Sequence, residues 1–373
     1  MNTRREFMAA TLAAALARKS GMAADSAGEW RNRQAGLAYR RLGRTGFMIS
    51  EVVMGGNTIS PDNYEHVLLA ADMGLNYLDT APAYGGGRSE SGYARVLSAR
   101  KRDQFFLNTK VSPWDINRSR LYKDIFDSLP ESDQKKLRGE ANEEIARRQA
   151  LDPDYFCGYF RGQQQELEGA ALADVMSKHY GRKIDRNKNY RQLILDSVDQ
   201  SLTRLGTDHV DLLMCPHGAS TPHEVLDHPE IFEAFEVLKK QGKARYFGVS
   251  AHTDPAGILD AAVKAKVYSA AMVAFNIVNR RFVERSLARA HGAGLGVIAM
   301  KVARPVFSGR ANAAPDDPAR VRLIDEAVPG PLKRPQKAYL WALRNAHLSG
   351  VISELVNAEM VRDNMPLAGS KKA

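Results

Sequence analysis

Val210-Asp211-Leu212-Leu213-Met214-Cys215 and Arg245-Tyr246-Phe247-Gly248-Val249-Ser250 are short strand-like runs, and residues 229–241 between them read as an amphipathic helix. Two strands joined through a helix pair parallel, because a tight turn cannot return the chain to the same end of a sheet. The same alternation continues outward in both directions. Residues 49–54, 76–79, 105–110, 269–275, 296–300 and 350–355 read as further strands. Residues 64–73 (stopping at Gly74), 191–205, 254–265, 281–290 and 335–347 read as helices between them. Eight strands alternating with helices argue for an α/β fold, a closed (β/α)8 TIM barrel. A doubly wound sheet is the competing architecture, and it is weakened because no G-x-G-x-x-G follows any strand.

The chain has 373 residues, 44% hydrophobic and 26% charged, which suits one soluble barrel and excludes disordered or collagen-like classes. Its net charge of +10 is spread without a long Lys/Arg block, so no nucleic-acid partner is expected. The two cysteines, Cys157 and Cys215, and the histidines show no metal-ligand spacing, so no metal site is expected.

Residues 1–26 read differently from the rest. Thr3-Arg4-Arg5-Glu6-Phe7-Met8 precedes a short Ala-rich stretch and small residues, and resembles a twin-arginine export signal. That predicts a periplasmic protein, or a cytoplasmic one if the signal is not used. The apolar stretch is too short for a bilayer core of about 30 Å, so a membrane-embedded protein is not expected.

In such a barrel, function collects at the C-terminal ends of the strands. The polar residues there are Asp79, Lys110, His217 and Ser250, with Tyr84 just beyond Asp79. Together they suit proton donation to a carbonyl oxygen. An ammonium near a phenol lowers the phenol's pKa, an Asp fixes the ammonium, and a neutral His donates to the oxygen. Nothing here resembles a nucleophile or a metal cluster, so the reaction needs a hydride source.

Gly74-Leu75-Asn76-Tyr77-Leu78-Asp79-Thr80-Ala81-Pro82-Ala83-Tyr84-Gly85 resembles the aldo-keto reductase signature. The resemblance runs from Tyr39-Arg40-Arg41-Leu42-Gly43-Arg44-Thr45-Gly46, similar to the family's N-terminal hairpin, to Asp363-Asn364. It implies a barrel over residues 37–368 and NAD(P)H-dependent reduction of a small aldehyde or ketone. It assigns Tyr84 as general acid, Lys110 and Asp79 as its tuning pair, and His217 as the residue orienting the carbonyl. Gly56, Asn57, Ser250, Asn276, Lys301 and Asn364 are the implied cofactor contacts. NADPH is the cofactor the family implies, with NADH as the alternative.

The sequence also departs from the family. Ala251 and Met272 stand where Asn and Gln usually hold the carboxamide, and Met300 stands where an aromatic often stacks on the ring. Glu354, Leu355, Val356 and Met360 fall where basic and hydroxyl residues grip a 2′-phosphate, which a carboxylate would repel. The alternative reading is an altered barrel that binds a small ligand, or serves as an interaction subunit, without turnover.

Lys110 and His217 are too far apart in sequence for one βα unit, which leaves residues 114–190 as a helical insertion after strand three. From Asp115 to Lys188 it holds 14 basic and 14 acidic residues, so the basic excess lies elsewhere. Helices are expected at 118–128, 131–150 and 163–180, broken near Asp152-Pro153-Asp154, with an aromatic core of Tyr155, Phe156, Tyr159 and Phe160. A lid or substrate wall and an oligomer contact surface are both open roles.

Overall fold

Eight parallel strands close into a barrel in sequence order: β1 (Val52–Gly55), β2 (Tyr77–Asp79), β3 (Phe106–Lys110), β4 (Val210–Met214), β5 (Ala244–Ala251), β6 (Ala270–Ala274), β7 (Gly296–Met300) and β8 (Gly350–Ser353). The computed structural model describes residues 28–309 and 315–370; the expected export segment lies outside them. Closure runs through the pairing of β8 with β1, Val351 opposite Val52.

Each strand divides its side chains by parity, as a pleated strand must. Val53, Tyr77, Phe106, Leu212, Met214, Ala270, Met272, Ile298 and Met300 fill the barrel interior, with Tyr246 and Ile352 packed against them. Their neighbours Val52, Met54, Leu78, Leu107, Leu213, Val249, Val273 and Val297 belong to the larger core shared with the helices. Asp79 and Lys110 have the parity of Tyr77 and Phe106. They are therefore the inward-facing residues at the C-terminal ends of β2 and β3.

The expected strand over 49–54 is two strands. Phe47–Ser50 belongs to a small N-terminal sheet, antiparallel to Tyr39–Arg41 and parallel to Glu29–Trp30, and β1 starts only at Val52. Between them the buried Glu51 receives Arg40 Nε at 2.6 Å, so the apolar run breaks at an ion pair. Phe47 closes the barrel floor, stacked on Phe106 at 4.3 Å and edge-on to Tyr246 at 5.1 Å.

Between β3 and β4 run helices Pro113–Leu121, Lys123–Asp127, Glu131–Arg147, Pro153–Phe156 and Gln163–Tyr180. The expected helix at 118–128 is two pieces meeting at Tyr122. Glu131–Arg147 and Gln163–Tyr180 pack through Ala141, Ile145, Leu167 and Ala171, and Tyr122 and Phe126 join Leu137 and Met176 in a second cluster, so the insertion core is built on residues other than the expected aromatics. The expected core aromatics turn toward the barrel instead. Tyr155 stacks on Phe282 at 4.7 Å, and Phe160 stands edge-on to His252 at 5.4 Å. A buried Arg148–Asp254 ion pair of 2.8 Å and a Tyr155 hydroxyl bond to Asp254 of 2.7 Å fix the same docking. Among the described residues no helix is long and apolar enough to cross a membrane. No group of three or more His, Cys, Asp or Glu among them is placed to hold a metal ion.

Candidate active site

Asp79 ends β2 and Lys110 ends β3, which places an acid and a base side by side, each 1% exposed. Lys110 Nζ donates to both Asp79 oxygens at 2.6 and 2.7 Å, to the Thr80 carbonyl at 3.0 Å and to the Tyr84 hydroxyl at 3.0 Å. Asn108 Nδ2 adds a further bond of 2.5 Å to Asp79. Three ammonium hydrogens thus serve four acceptors, with one hydrogen shared between the two oxygens of the Asp79 carboxylate and one each for Thr80 and Tyr84. Burial alone would push Lys110 down, but the Asp79 charge and the Tyr84 hydroxyl outweigh it and hold the ammonium above its ordinary value.

Tyr84 reaches this pair because the chain after it turns through Gly85, Gly86 and Gly87, at φ +58°, +63° and +91°. Three consecutive left-handed residues are cheap only for glycine. The glycine run is thus a turn that aims the phenol. Burial pushes the Tyr84 pKa up, Lys110 pulls it down and Asp79 pushes it up again, leaving it above the ordinary phenol value. This reverses the net lowering expected from sequence, because burial at the barrel mouth outweighs the ammonium. The phenol is therefore an acid that keeps its proton at neutral pH.

His217 follows β4 through a cis Cys215–Pro216 bond, and its ring stands edge-on to Tyr84 at 6.0 Å. Burial, then the charge of Lys110, pushes its pKa far below the ordinary imidazole value, so the ring is neutral. Its Nδ1 lies 2.8 Å from Ser112 Oγ, which also accepts the Ala83 backbone N–H at 3.1 Å. The fold thus brings Asp79, Tyr84, Lys110 and His217 together.

The implied cofactor contacts are more scattered. Gly56 is required by packing, since a Cβ there would lie 2.1 Å from the Asp79 carbonyl oxygen. Asn57 is exposed beside it. Ser250 is buried at the end of β5, and Lys301, with φ +57°, follows β7. Asn276 has its amide engaged: Oδ1 accepts from the Val278 and Asn279 N–H groups at 3.0 Å, and Nδ2 donates to Tyr159 Oη at 2.9 Å. Asn364 Nδ2 donates to Ser353 Oγ at 3.2 Å. Met272 points into the barrel interior.

Whether these residues suit a nicotinamide dinucleotide can be judged from the donor set. The mouth offers the Tyr84 phenol, the Ser250 hydroxyl and His252, whose buried Nδ1 has no hydrogen-bond partner. Burial and then the Lys301 and Lys110 charges lower His252 to about 3, so it is a neutral ring. These polar groups at the barrel mouth fit the cofactor, and Asn276 has one Nδ2 hydrogen beyond the one it gives to Tyr159.

Sequence reasoning missed Asn108, Ser112 and the Tyr159–Asn276 contact. Asn108 was findable, since it lies two residues before Lys110 on the same face of β3. Ser112 precedes Pro113 and carries the signature of a helix cap, which hid its other role. Tyr159 had no local signal, because its partner Asn276 lies far along the chain, in the loop after β6.

Residues 51–138 and 155–366 match the Aldo/keto reductase family model, and the gap falls inside the insertion. Over 357 residues the chain is 24% identical to uncharacterized oxidoreductase YqkF of Bacillus subtilis, covering 90% of this chain and 92% of that one. It is 27% identical over 224 residues to aldo-keto reductase AMT2 of Alternaria alternata, covering 57% and 49%. Among solved structures it is similar in fold to aldo-keto reductase AKR11C1 of Bacillus halodurans in its holo form, with a TM-score of 0.57, 20% identity and coverage of 90% and 92%. The thermostable aldo-keto reductase Tm1743, solved with the inhibitor epalrestat, gives a TM-score of 0.59 at 20% identity over 90% and 96%. With a matching family model across most of its length and the signature residues gathered at one barrel mouth, this chain belongs to the aldo/keto reductase family.

Proposed function

We propose that this NAD(P)-dependent oxidoreductase reduces a small aldehyde or ketone to the alcohol, with NADPH as hydride source and NADH as the alternative. The observation that carries the reading is the Lys110–Tyr84 hydrogen bond of 3.0 Å. Lys110 can only donate, so the Tyr84 oxygen accepts and its own proton is free to be given to a carbonyl oxygen. Bound reduced nicotinamide supplies the hydride to the carbonyl carbon. Tyr84 protonates the oxygen, and one hydride plus one proton completes the alcohol. Lys110, fixed by Asp79, then faces the phenolate that remains and stabilises it. His217, neutral and edge-on to Tyr84, orients the carbonyl.

The Arg4-Arg5-Glu6-Phe7 start supports export of the folded protein to the periplasm, with cofactor loaded beforehand. The insertion, welded to the mouth through Tyr155, Tyr159 and Phe160, supports a substrate wall; oligomer contact through its outer helices is the other role.

The test is titration of purified, cofactor-free protein with NADPH and NADH, followed by addition of small aldehydes and ketones. Saturable binding and carbonyl-dependent oxidation of the cofactor support the reading. Folded protein that binds neither dinucleotide overturns it in favour of a ligand-binding barrel.

A further inference from the structure

Ser112 caps the helix Pro113–Leu121 by position, yet its side chain makes no capping bond and its backbone is helical, at φ −66° and ψ −33°. A serine at this position ordinarily accepts a hydrogen bond from the first helical turn, so the hydroxyl has been diverted. Its partners lie on two other loops. Ala83 N, next to Tyr84, is 3.1 Å from Oγ, and His217 Nδ1 is 2.8 Å from it. Ser112 itself is 7% exposed and sits two residues beyond Lys110. One hydroxyl thereby ties the loops after β2, β3 and β4, the three that carry Tyr84, Lys110 and His217.

The chemistry of the hydroxyl decides where the protons are. The Ala83 N–H can only donate, so Oγ accepts there. The hydroxyl's single proton then has one remaining acceptor among the described residues, His217 Nδ1. The opposite arrangement, with Nδ1–H donating to Oγ, would leave the Ser112 proton without an acceptor in a buried place, which is unfavourable. A neutral imidazole carries one N–H, so the proton resides on Nε2. That nitrogen has no hydrogen-bond partner among the described residues and lies on the ring edge opposite the Ser112 tether.

We infer that Ser112 is a positioning residue that fixes His217 as its Nε2–H tautomer, so that the ring presents a donor, not a lone pair, to the substrate's carbonyl oxygen beside Tyr84. This rests on the carbonyl-reductase reading of the site. The other tautomer would turn a lone pair toward the carbonyl oxygen and repel it.

The test reads the tautomer directly. Nitrogen-15 NMR of the histidine rings in the full chain without cofactor, with His217 assigned by its loss in His217→Gln, should show Nδ1 unprotonated and Nε2 protonated. In Ser112→Ala the ring should become a mixture of tautomers, and kcat for carbonyl reduction should fall about tenfold or more. The Kd for NADPH should stay unchanged. Ser112→Thr, which keeps the hydroxyl, should restore both the tautomer and kcat, whereas a merely structural role would not couple the two. A protonated Nδ1 in the wild type overturns the inference, as does Ser112→Ala with an unaltered ring spectrum. The wild-type spectrum decides even if Ser112→Ala does not fold. It also needs no turnover: a wild type that reduces no carbonyl defeats the functional reading, while the ring spectrum still reports on Ser112.

Discussion

The Tyr84 hydroxyl lies 3.0 Å from the Lys110 ammonium, and both oxygens of Asp79 grip that ammonium from the other side. The pair is 1% exposed on each side chain, so its two charges are fully desolvated. Such a pair contributes little net stability when intact, but removing one member leaves a buried charge. Lys110→Met should therefore destabilise the barrel by about 3–5 kcal/mol. The double variant Asp79→Leu with Lys110→Met should recover most of that loss without recovering turnover. Denaturant melts beside a carbonyl-dependent assay check both halves.

The pH profile follows from two perturbed groups. Tyr84 must be protonated to act as the acid, and its pKa lies above the ordinary 10.0. Reduction should therefore be flat through neutral pH and fall only as pH rises past the phenol value. Oxidation of the alcohol, which needs the phenolate, should rise over the same range. His217 is held well below 6.5, so neither direction should inflect there. A rate that changes through pH 6.5 would mean that His217 titrates in the working enzyme.

Docking of the insertion depends on Asp254, which receives Arg148 Nη1 at 2.8 Å and the Tyr155 hydroxyl at 2.7 Å. Its side chain also caps the helix Pro255–Ala265 through the Gly257 N–H. Asp254→Ala should cost about 3–5 kcal/mol by removing the buried carboxylate of Arg148, whose remaining ion pair, with Glu144 at 3.5 Å, is longer, and Tyr155→Phe about 1 kcal/mol. Limited proteolysis should then cut sooner around residues 150–162, the segment that carries the docked aromatics. Unchanged cleavage in Asp254→Ala would show that these contacts do not hold the insertion.

Glu354 follows β8 as an exposed carboxylate, at the position where the family resemblance would bring a 2′-phosphate. Replacing it by Gln removes a like charge and should strengthen NADPH binding severalfold while leaving NADH nearly unchanged. Isothermal titration with both dinucleotides measures the ratio. An equal gain for both would place Glu354 away from the phosphate.

Much of this was legible in the sequence because the barrel writes its repeat in plain periodicity. Gly296–Met300 and Gln163–Tyr180 fall on the expected bounds, and the other strands shift by a residue or two at their ends. Periodicity could not divide residues 49–54, since nothing local distinguishes the end of one strand from the start of the next except the charge of Glu51. The Asp79, Tyr84, Lys110 and His217 cluster was legible because each stands at a strand end on one face. What stayed hidden depends on distance through space. The Tyr84 pKa direction is set by burial, Asn276 is engaged by a tyrosine from the insertion, and Ser112 looks like a cap until its hydroxyl is seen pointing at His217.

The most direct measurement compares Tyr84→Phe with the wild type in cofactor binding and in carbonyl-dependent NADPH oxidation. The variant loses one proton donor and keeps the ring, so binding should stay within about twofold while kcat falls by about 10²–10⁴ or below detection. Carbonyl reduction by Tyr84→Phe at the wild-type rate would contradict the central claim that this phenol delivers the proton.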